Sequence, residues 1–267
     1  MRRRNSAKSG IMRTREFLMK DLYSFAASEE EHDKFYHAAE QAYKRIYDRL
    51  GIGADTFQTF ASGGVFSKYS HEFQTLTDIG EDTVYFNADK SVVLNEEVLN
   101  DEVLAELGVK REELQSAKAA EVGNIFTLKT KYSEPLGLVF NDKDGERKTV
   151  LMGCYGIGVS RVMGVIAEKF CDDRGLVWPE QIAPYKYYLI GIGEEGTKQA
   201  EAFYAQHSHE TLFDDRDLRP GEKFADAELM GIPYRVVISD KTLTNNQAEI
   251  TNRATGESKL VNLDQLF

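Results

Sequence analysis

The sequence is poor in cysteine and contains no long apolar run. Two cysteines, Cys154 and Cys171, occur among 267 residues, and their spacing matches no metal-ligand motif. The basic start of the chain also lacks the apolar core of a signal peptide, so we expect free thiols in a reducing cytoplasm. No apolar run approaches the roughly 18 to 20 residues that cross a membrane. These absences argue against a disulfide-stabilised secreted domain and against a membrane-spanning protein.

What is present is a globular composition with an uneven charge distribution. The chain is 42% hydrophobic and 11% aromatic, and its formal net charge is −11. Seven of the first 20 residues are Lys or Arg, against one acidic residue, Glu16. The start is therefore basic, while the remainder is strongly acidic. This contrast indicates either a solvated basic tail or the charged lining of a site for an anion.

The first part of the chain mixes helical and strand patterns. Ser28 with Glu31 has the form of a capping box and predicts a helix that ends before Gly51. Loop and strand patterns follow over 57–79, then a short strand at 84–86 and an acidic helical stretch over 95–120. Strands are predicted at 123–128, 136–141 and 149–152, with a hairpin turn over 142–145.

The second part begins near the segment VWPEQIAPYK, where two prolines bracket a connector. Strands are then predicted at 185–193, 210–213 and 234–239, and helices at 196–207 and 221–230. A terminal hairpin joins 247–252 to 258–261. Alternation of this kind predicts a small α/β domain of about 80 residues.

The segment GCYGIGVSRVMGV, residues 153–165, is the first candidate site. Three glycines, Gly153, Gly156 and Gly158, stand between a predicted strand and helix, where a backbone needs positive φ or close approach to a ligand. The helix start favours an anion, and Arg161 in its first turn suits phosphate oxygens. Close helix-on-strand packing with a solvent-facing Arg161 is the alternative. No Gly-Lys-Ser/Thr follows, so the segment is not a Walker loop.

The segment MRTREFLMKDLYSF, residues 12–25, is the second candidate site. Strand alternation would place Arg13 and Phe17 on one face, about 13 Å apart at about 3.3 Å per residue. That separation suits the two ends of a nucleoside triphosphate, with charge at one end and a stacked base at the other. A core strand with charged ends is the alternative.

His71 and Glu72 form the third candidate. Because they are adjacent, a strand would point them to opposite faces, so they make no simple acid/base pair. A surface histidine is the alternative for His71, and a small buried hydrophobic role is the alternative for Cys154. No nucleophile–base pair and no metal site is indicated.

The order and wording of these segments resemble one family. RTREFLMKDLYSF resembles the second motif, and GCYGIGVSR the third motif, of bacterial-type prolyl-tRNA synthetases, which are class II aminoacyl-tRNA synthetases. SHEFQ, GED, EVGNIF and TKYSE match the same family in the same order, and DDRDLRPGEKFADAELMGIPYRVVISD resembles its anticodon-binding domain. The segments SHEF and GCYGIG disfavour a class II synthetase for another amino acid, such as threonine.

The resemblance implies a fold and a reaction. We expect an incomplete α+β class II catalytic domain, an antiparallel sheet with helices, over 1–178, and a small α/β anticodon-binding domain over 179–267. ATP would activate proline to prolyl-adenylate, and the prolyl group would pass to tRNA(Pro). Mg²⁺ would enter with the nucleotide, and the family is homodimeric.

The resemblance also implies roles for individual residues. Arg13 and Arg161 would be catalytic through the ATP phosphates. The expected ATP-binding residues are Arg2, Arg13, Thr14, Glu16, Phe17, Gln74 and Arg161. The expected proline-binding residues are His71, Glu72, Cys154 and Gly156. The expected tRNA-binding residues are Arg216, Arg219 and Lys223, for which ion pairs to Asp214, Asp215 and Asp217 are the alternative.

The departures from the family pattern matter as well. The Phe-Arg-x-Glu signature of the family aligns with Met1-Arg2-Arg3-Arg4. Arg2 could therefore serve as the signature arginine, but Arg4 occupies the position of the glutamate. No first motif and no preceding proline-recognising loop are found, which predicts the C-terminal part of a longer enzyme or a degenerate paralogue. A truncated paralogue that binds tRNA or a protein without activating proline is the alternative function. Only 37 residues, 84–120, stand where many relatives carry an editing domain, so we expect no editing.

Overall fold

The structure is a computed structural model that describes residues 2–3, 7, 9–62 and 69–266. The chain divides into two compact units between Ile166 and Ala167. The domain boundary expected after residue 178 stays a prediction. Among the described residues, no helix combines the length and the apolar character needed to cross a membrane.

The first unit is built on antiparallel strands. Its strands, in chain order, are β1 (Arg2–Arg3), β2 (Glu16–Phe17), β3 (Lys20–Ala26), β4 (Thr56–Ser62), β5 (Tyr69–Leu76), β6 (Asp82–Phe86), β7 (Val93–Asn95), β8 (Gln115–Lys129), β9 (Val139–Asn141), β10 (Arg147–Thr149) and β11 (Leu151–Ile157). The helices that follow β3, β7 and β11 are α1 (Glu29–Arg49), α2 (Asp101–Leu107) and α3 (Val159–Lys169).

Seven of these strands form one sheet in the order β3-β11-β8-β5-β4-β7-β6. All neighbours are antiparallel except β4 and β7, which are parallel. The 15-residue strand β8 runs through the centre and also pairs with β6. The sheet of mainly antiparallel strands with helices, which the resemblance leads us to expect, is therefore present.

Helix α1 covers one face of this sheet. Its N-terminus is capped as predicted, because Ser28 Oγ accepts the N–H of Glu31 at 3.2 Å. The side of the helix that faces the sheet carries three buried tyrosines, Tyr36, Tyr43 and Tyr47. The rings of the last two pack on Phe73 of β5. The aromatic residues of α1 thus fix which face of the sheet is closed.

The acidic helix predicted over 95–120 is wrong in its second half. Helix α2 ends at Gly108, whose φ of 67° gives a left-handed C-cap, and the chain re-enters the sheet at Gln115. Alanine, lysine and glutamate in 115–121 favour a helix locally, but pairing with β5 and β6 on either side overrides that preference.

The second unit is a mixed α/β domain, as predicted. The hairpin strands β12 (Cys171–Asp172) and β13 (Gly175–Leu176) precede a five-stranded sheet of order β15-β14-β16-β17-β18. The sheet strands are β14 (Tyr187–Ile192), β15 (Thr211–Phe213), β16 (Tyr234–Ser239), β17 (Gln247–Asn252) and β18 (Ser258–Asn262). The helices are α4 (Glu194–His207), α5 (Pro220–Met230) and α6 (Asp240–Leu243).

Alternation along β14 builds two cores in this unit. Tyr187 and Leu189 pack with Ala200 of α4, whereas Tyr188 and Ile190 pack with Ala227 of α5. Because β14 is buried on both faces, its sequence is one continuous apolar run. A strand could therefore be predicted at this place from the sequence.

Candidate active site

The candidate site lies on the sheet face that α1 leaves uncovered. The register places Glu72 opposite Asn124, and Asn124 opposite Gly156, in one row across β5, β8 and β11. Phe73 and Tyr155, next in sequence, contact the aromatic rings of α1 instead. Alternation therefore separates a polar face from an apolar face within the same strands.

The first two glycines of GCYGIG lie in a strand, which corrects the predicted turn, and Gly158 follows that strand directly. Gly153 and Gly156 belong to β11, and neither they nor Gly158 has positive φ. A Cβ on Gly156 would lie 2.7 Å from Met19 Cε, and one on Gly153 would lie 2.7 Å from Ser24 Oγ. Glycine is needed at 156 because Met19 approaches closely, and at 153 because the hydroxyls of Tyr155 and Ser24 do, whereas Gly158 has only an ordinary contact with Arg161.

Arg161 is held inside the unit by main-chain carbonyls and a carboxylate. Its Nε donates to the Met12 carbonyl at 3.1 Å, and its Nη1 donates to the carbonyl (2.9 Å) and Oε2 (3.1 Å) of Glu121. The side chain is 13% exposed, so the alternative of a solvent-facing Arg161 is wrong. The guanidinium is fixed between the start of the chain and β8.

The segment around residues 10–19 is not the continuous strand that alternation predicted. A short 3₁₀ helix, Gly10–Met12, precedes the two-residue strand β2. Two side-chain hydrogen bonds hold this irregular path. Thr14 Oγ1 donates to the Glu16 carbonyl, and the Leu18 N–H donates to Ser160 Oγ. These contacts join distant residues or use side chains, so alternation of residue types could not reveal them.

The irregular path still brings the predicted nucleotide residues together. Thr14, Phe17 and Arg161 line one cavity of about 140 Å³, with Ser160 in its wall. Arg13 and Arg161 line a second cavity of about 180 Å³, together with the acidic residues Glu81, Asp82 and Glu121. Because Arg161 and Glu121 line both cavities, a single guanidinium–carboxylate pair borders both.

Arg13 faces a carboxylate as well. Its Nη1 lies 3.2 Å from Glu81 Oε2, while its buried Nε has no hydrogen-bond partner among the described residues. A buried guanidinium N–H without an acceptor is costly, and an anionic ligand in the cavity would supply one.

Glu72 is the centre of a buried amide–carboxyl cluster. Its Oε2 accepts from Gln74 Nε2 at 2.9 Å and from Asn95 Nδ2 at 3.2 Å, and its Oε1 accepts from Asn124 Nδ2 at 3.3 Å. Gln74 Nε2 also donates to Asp82, and Asn124 Nδ2 to Glu121. Burial, reinforced by the nearby Glu121 and Asp82 charges and opposed by the amide hydrogen bonds, raises the pKa of Glu72 to about 7.

Two acceptors in this cluster stay unsatisfied. Gln74 is fully buried and Asn124 nearly so, and their side-chain carbonyl oxygens have no hydrogen-bond partner among the described residues. Both amides already donate to carboxylates through their nitrogens, so the cluster is short of N–H donors rather than acceptors. Its chemistry suits a cationic group with more than one N–H.

His71 lies on the opposite face from Glu72. Its Nδ1 is 2.8 Å from the Tyr36 hydroxyl, its ring is 5.1 Å from that of Phe60, and burial lowers its pKa. It lines a cavity of about 510 Å³ under α1 instead. The structure therefore does not bring His71 to the polar face, whereas Cys154 and Gly156 alternate onto it.

The remaining residues predicted for the first unit lie at its edge. Arg2 of β1 is paired through its backbone with Phe17 of β2, and Glu16 of β2 is exposed. Met1 and Arg4, on which the signature comparison also rested, lie outside the described residues. Four residues of this site were not predicted as site residues: Asp82, Asn95, Glu121 and Asn124. Three of them lie in segments that match the family, Asp82 in GED and both Glu121 and Asn124 in EVGNIF, so those segments could have indicated them.

The basic residues predicted in the second unit shape a loop. Arg216 contacts Asp214 at 2.7 Å and Asp226 at 2.8 Å, and the first contact helps lower the pKa of Asp214 to about 2. Lys223 is buried and donates to the Asp214 carbonyl. Of the expected ion pairs, that with Asp214 is present, and Asp226 is an additional partner. Arg219 is exposed at the N-cap position of α5, where its main-chain N–H donates to Glu222 Oε2.

Comparisons with known proteins agree with both units. The family model "tRNA synthetase class II core domain (G, H, P, S and T)" matches residues 1–170, and "Anticodon binding domain" matches residues 187–267.

Proline–tRNA ligases are among the similar proteins. That of Wolbachia pipientis wMel is 37% identical over 273 residues, which cover 96% of this chain and 63% of that protein. Those of Anaplasma phagocytophilum and Rickettsia akari are both 35% identical, over 97% of this chain and 65% of their own length. The chain thus spans 63–65% of the length of these relatives. With a core-domain match over more than half of its residues, the chain belongs to the class II tRNA synthetases.

Proposed function

We propose that this chain is a proline–tRNA ligase that activates proline with ATP and transfers it to tRNA(Pro). The observation that carries the proposal is the position of Glu121. Its carboxylate accepts from Arg161 of the cavity pair and, through its other oxygen, from Asn124 of the Glu72 cluster. The arginine-lined cavities and the cluster that is short of N–H donors therefore adjoin the same carboxylate, which would place bound ATP and a bound amino acid next to each other.

Arg13 and Arg161 are proposed to bind the triphosphate, and Phe17 to stack on adenine. Both arginines face carboxylates in the structure, so phosphate oxygens would take over donors that are already oriented. The proline carboxylate would attack the α-phosphorus, and pyrophosphate would leave, which requires no nucleophile from the protein. Catalysis then comes from positioning and from charge neutralisation.

Mg²⁺ is proposed to arrive with the nucleotide. No group of three or more His, Cys, Asp or Glu side chains in the described ranges is arranged to hold a metal. When bound to ATP, the ion would offset phosphate charge, and its ligands would come chiefly from the phosphates.

The Glu72 cluster is proposed to bind the secondary ammonium of proline. That group carries two N–H donors and a positive charge, and it would meet the Glu72 carboxylate and the free carbonyl oxygens of Gln74 and Asn124. His71 takes no part in this proposal because it faces α1. In the second unit, we propose tRNA contacts for Arg216 and Arg219, with Lys223 supporting their loop.

Proline-dependent ATP–pyrophosphate exchange on the purified chain tests the proposal. Exchange with proline, and none with threonine, is the expected result. A folded chain that binds tRNA(Pro) without exchanging pyrophosphate would refute the ligase proposal and favour the tRNA-binding module instead.

A further inference from the structure

Lys20, the first residue of β3, holds a charge in an unusual setting on the α1 side of the sheet. Its ammonium donates to the Tyr43 hydroxyl at 2.7 Å and to the main-chain carbonyl of Tyr155 at 3.0 Å. It also lies 4.6 Å from the centroid of the Tyr43 ring. Within the described part of the chain, none of its contacts is an ion pair with a carboxylate.

These contacts make Lys20 a three-way junction. Tyr43 belongs to α1 and is 2% exposed, and Tyr155 belongs to β11 and is fully buried, so the ammonium joins β3 to both elements. Burial raises the pKa of the Tyr43 hydroxyl well above its usual range, which keeps that group neutral. Burial lowers the pKa of Lys20, while Asp21 and Cys154 oppose that shift. The ammonium of the half-buried Lys20 therefore makes directed contacts with two other elements.

The junction lies three residues from Phe17 in the cavity wall. Between them, the Leu18 N–H donates to Ser160 Oγ at 3.0 Å, and Met19 packs where a Cβ on Gly156 would be. Phe17, Met19 and Ser160 all line the cavity of about 140 Å³. With only two residues of regular strand at Glu16–Phe17, this wall depends on such side-chain contacts for its position.

We propose that Lys20 is a positioning residue that anchors residues 17–19 to α1 and β11, beside the contact of Leu18 with Ser160 of α3, and so sets where the base of a bound nucleotide stacks. The proposal rests on the proposed function only in identifying the ligand as ATP. The wall itself, and its attachment through Lys20, are independent of that identification.

Two measurements on the full chain test the proposal, with Lys20→Met as the main variant and Lys34→Met, on the exposed surface of α1, as the matched control. The first is binding of ATP and of inorganic tripolyphosphate, which lacks the base. We expect Lys20→Met to weaken ATP binding about tenfold, as a displaced contact residue does, and to leave tripolyphosphate within about twofold. Lys20→Arg should restore part of the ATP affinity, and Tyr43→Phe should cause a smaller loss.

The second measurement is amide hydrogen exchange, which requires no ligand. Lys20→Met should speed exchange at Leu18 about tenfold and leave Tyr187–Ile192 of the second unit unchanged. Unchanged exchange at Leu18, or faster exchange with unchanged ATP affinity, would overturn the positioning role. Faster exchange in a chain whose wild type binds no ATP would refute the proposed function but support the attachment through Lys20. Should Lys20→Met fail to fold, Tyr43→Phe provides the same two readouts.

Discussion

The two faces of the seven-stranded sheet differ more than their sequences suggest. His71 and Glu72 are neighbours in the chain, yet one bonds to Tyr36 of α1 and the other to amides on the open face. Tyr155 is likewise buried against α1, while Cys154 and Gly156 alternate to the other side. A motif therefore identifies a strand near a site, but alternation decides which of its residues can act there.

The strongest test of this contrast is Arg161→Ala at the open face. We expect ATP use in pyrophosphate exchange to fall about 100-fold, because a fixed charge facing the phosphates is lost. Binding of tRNA(Pro) should change far less, since the proposed tRNA contacts lie in the second unit. Arg147→Ala, at an exposed position of β10, is the control. Equal losses in ATP use and tRNA binding would count against the role of Arg161.

Glu72→Gln should act mainly on proline. Replacing the carboxylate removes a charged hydrogen-bond acceptor for the ammonium, so KM for proline should rise about tenfold with little change in KM for ATP. Steady-state exchange kinetics measure both constants, with exposed Glu102→Gln as the control. An equal rise in KM for ATP would contradict a role of Glu72 that is specific to proline.

The proline affinity of the wild type should also depend on pH. Because the pKa of Glu72 is raised to about 7, the carboxylate is protonated increasingly below that pH. KM for proline should therefore rise as pH falls from 8 to about 6, and Glu72→Gln should flatten this dependence. An identical pH profile in the two proteins would exclude Glu72 as the titrating group.

Stability should show the opposite trend with pH. The folded-state pKa of Glu72 lies above its usual value of 4.5, so its favourable contribution is complete below that pH and is lost as pH rises through about 7. The free energy of unfolding of the wild type should fall by about 2 to 3 kcal/mol between pH 5 and pH 8 relative to Glu72→Gln. Urea unfolding at pH 5 and pH 8 measures the difference, and parallel curves would contradict it.

The smallest effect is expected on the covered face. His71→Phe should lower the free energy of unfolding by about 1 kcal/mol, because the hydrogen bond to the Tyr36 hydroxyl is lost. The loss stays small because that hydroxyl can still donate to the Ile125 carbonyl. KM for proline should stay within about twofold. A tenfold rise would show that the two faces are not functionally distinct.

Much of the fold could be predicted from local patterns. The capped helix α1, and the five sheet strands and two longer helices of the second unit, were predicted because period and capping signals suffice for them, whereas the β12–β13 hairpin and the four-residue helix α6 were not predicted. The helix predicted over 95–120 failed because sheet pairing on both sides of β8 outweighs the local preference of its alanines. The prediction of a turn at GCYGIG failed because Gly153 and Gly156 lie in β11, where they allow the close approach of Tyr155, Ser24 and Met19 and do not have positive φ.

The candidate site could be predicted only in part. The resemblance supplied Arg13, Thr14, Phe17, Arg161 and Glu72, which the structure places around the open face. Asn95 could not be found in this way, because its contact with Glu72 depends on where β7 joins the sheet. Lys223 was expected to bind tRNA, and its burial could not be predicted, because the contact of its ammonium with the Asp214 carbonyl depends on the fold of that loop.

The most direct test of the open face as the amino-acid site is the titration of the Glu72 carboxyl by ¹³C NMR, with and without saturating proline. We predict a pKa near 7 in the free chain. Proline should lower it, because a bound ammonium favours the ionised carboxylate. A Glu72 pKa that proline leaves unchanged, in a chain that activates proline, would contradict this account.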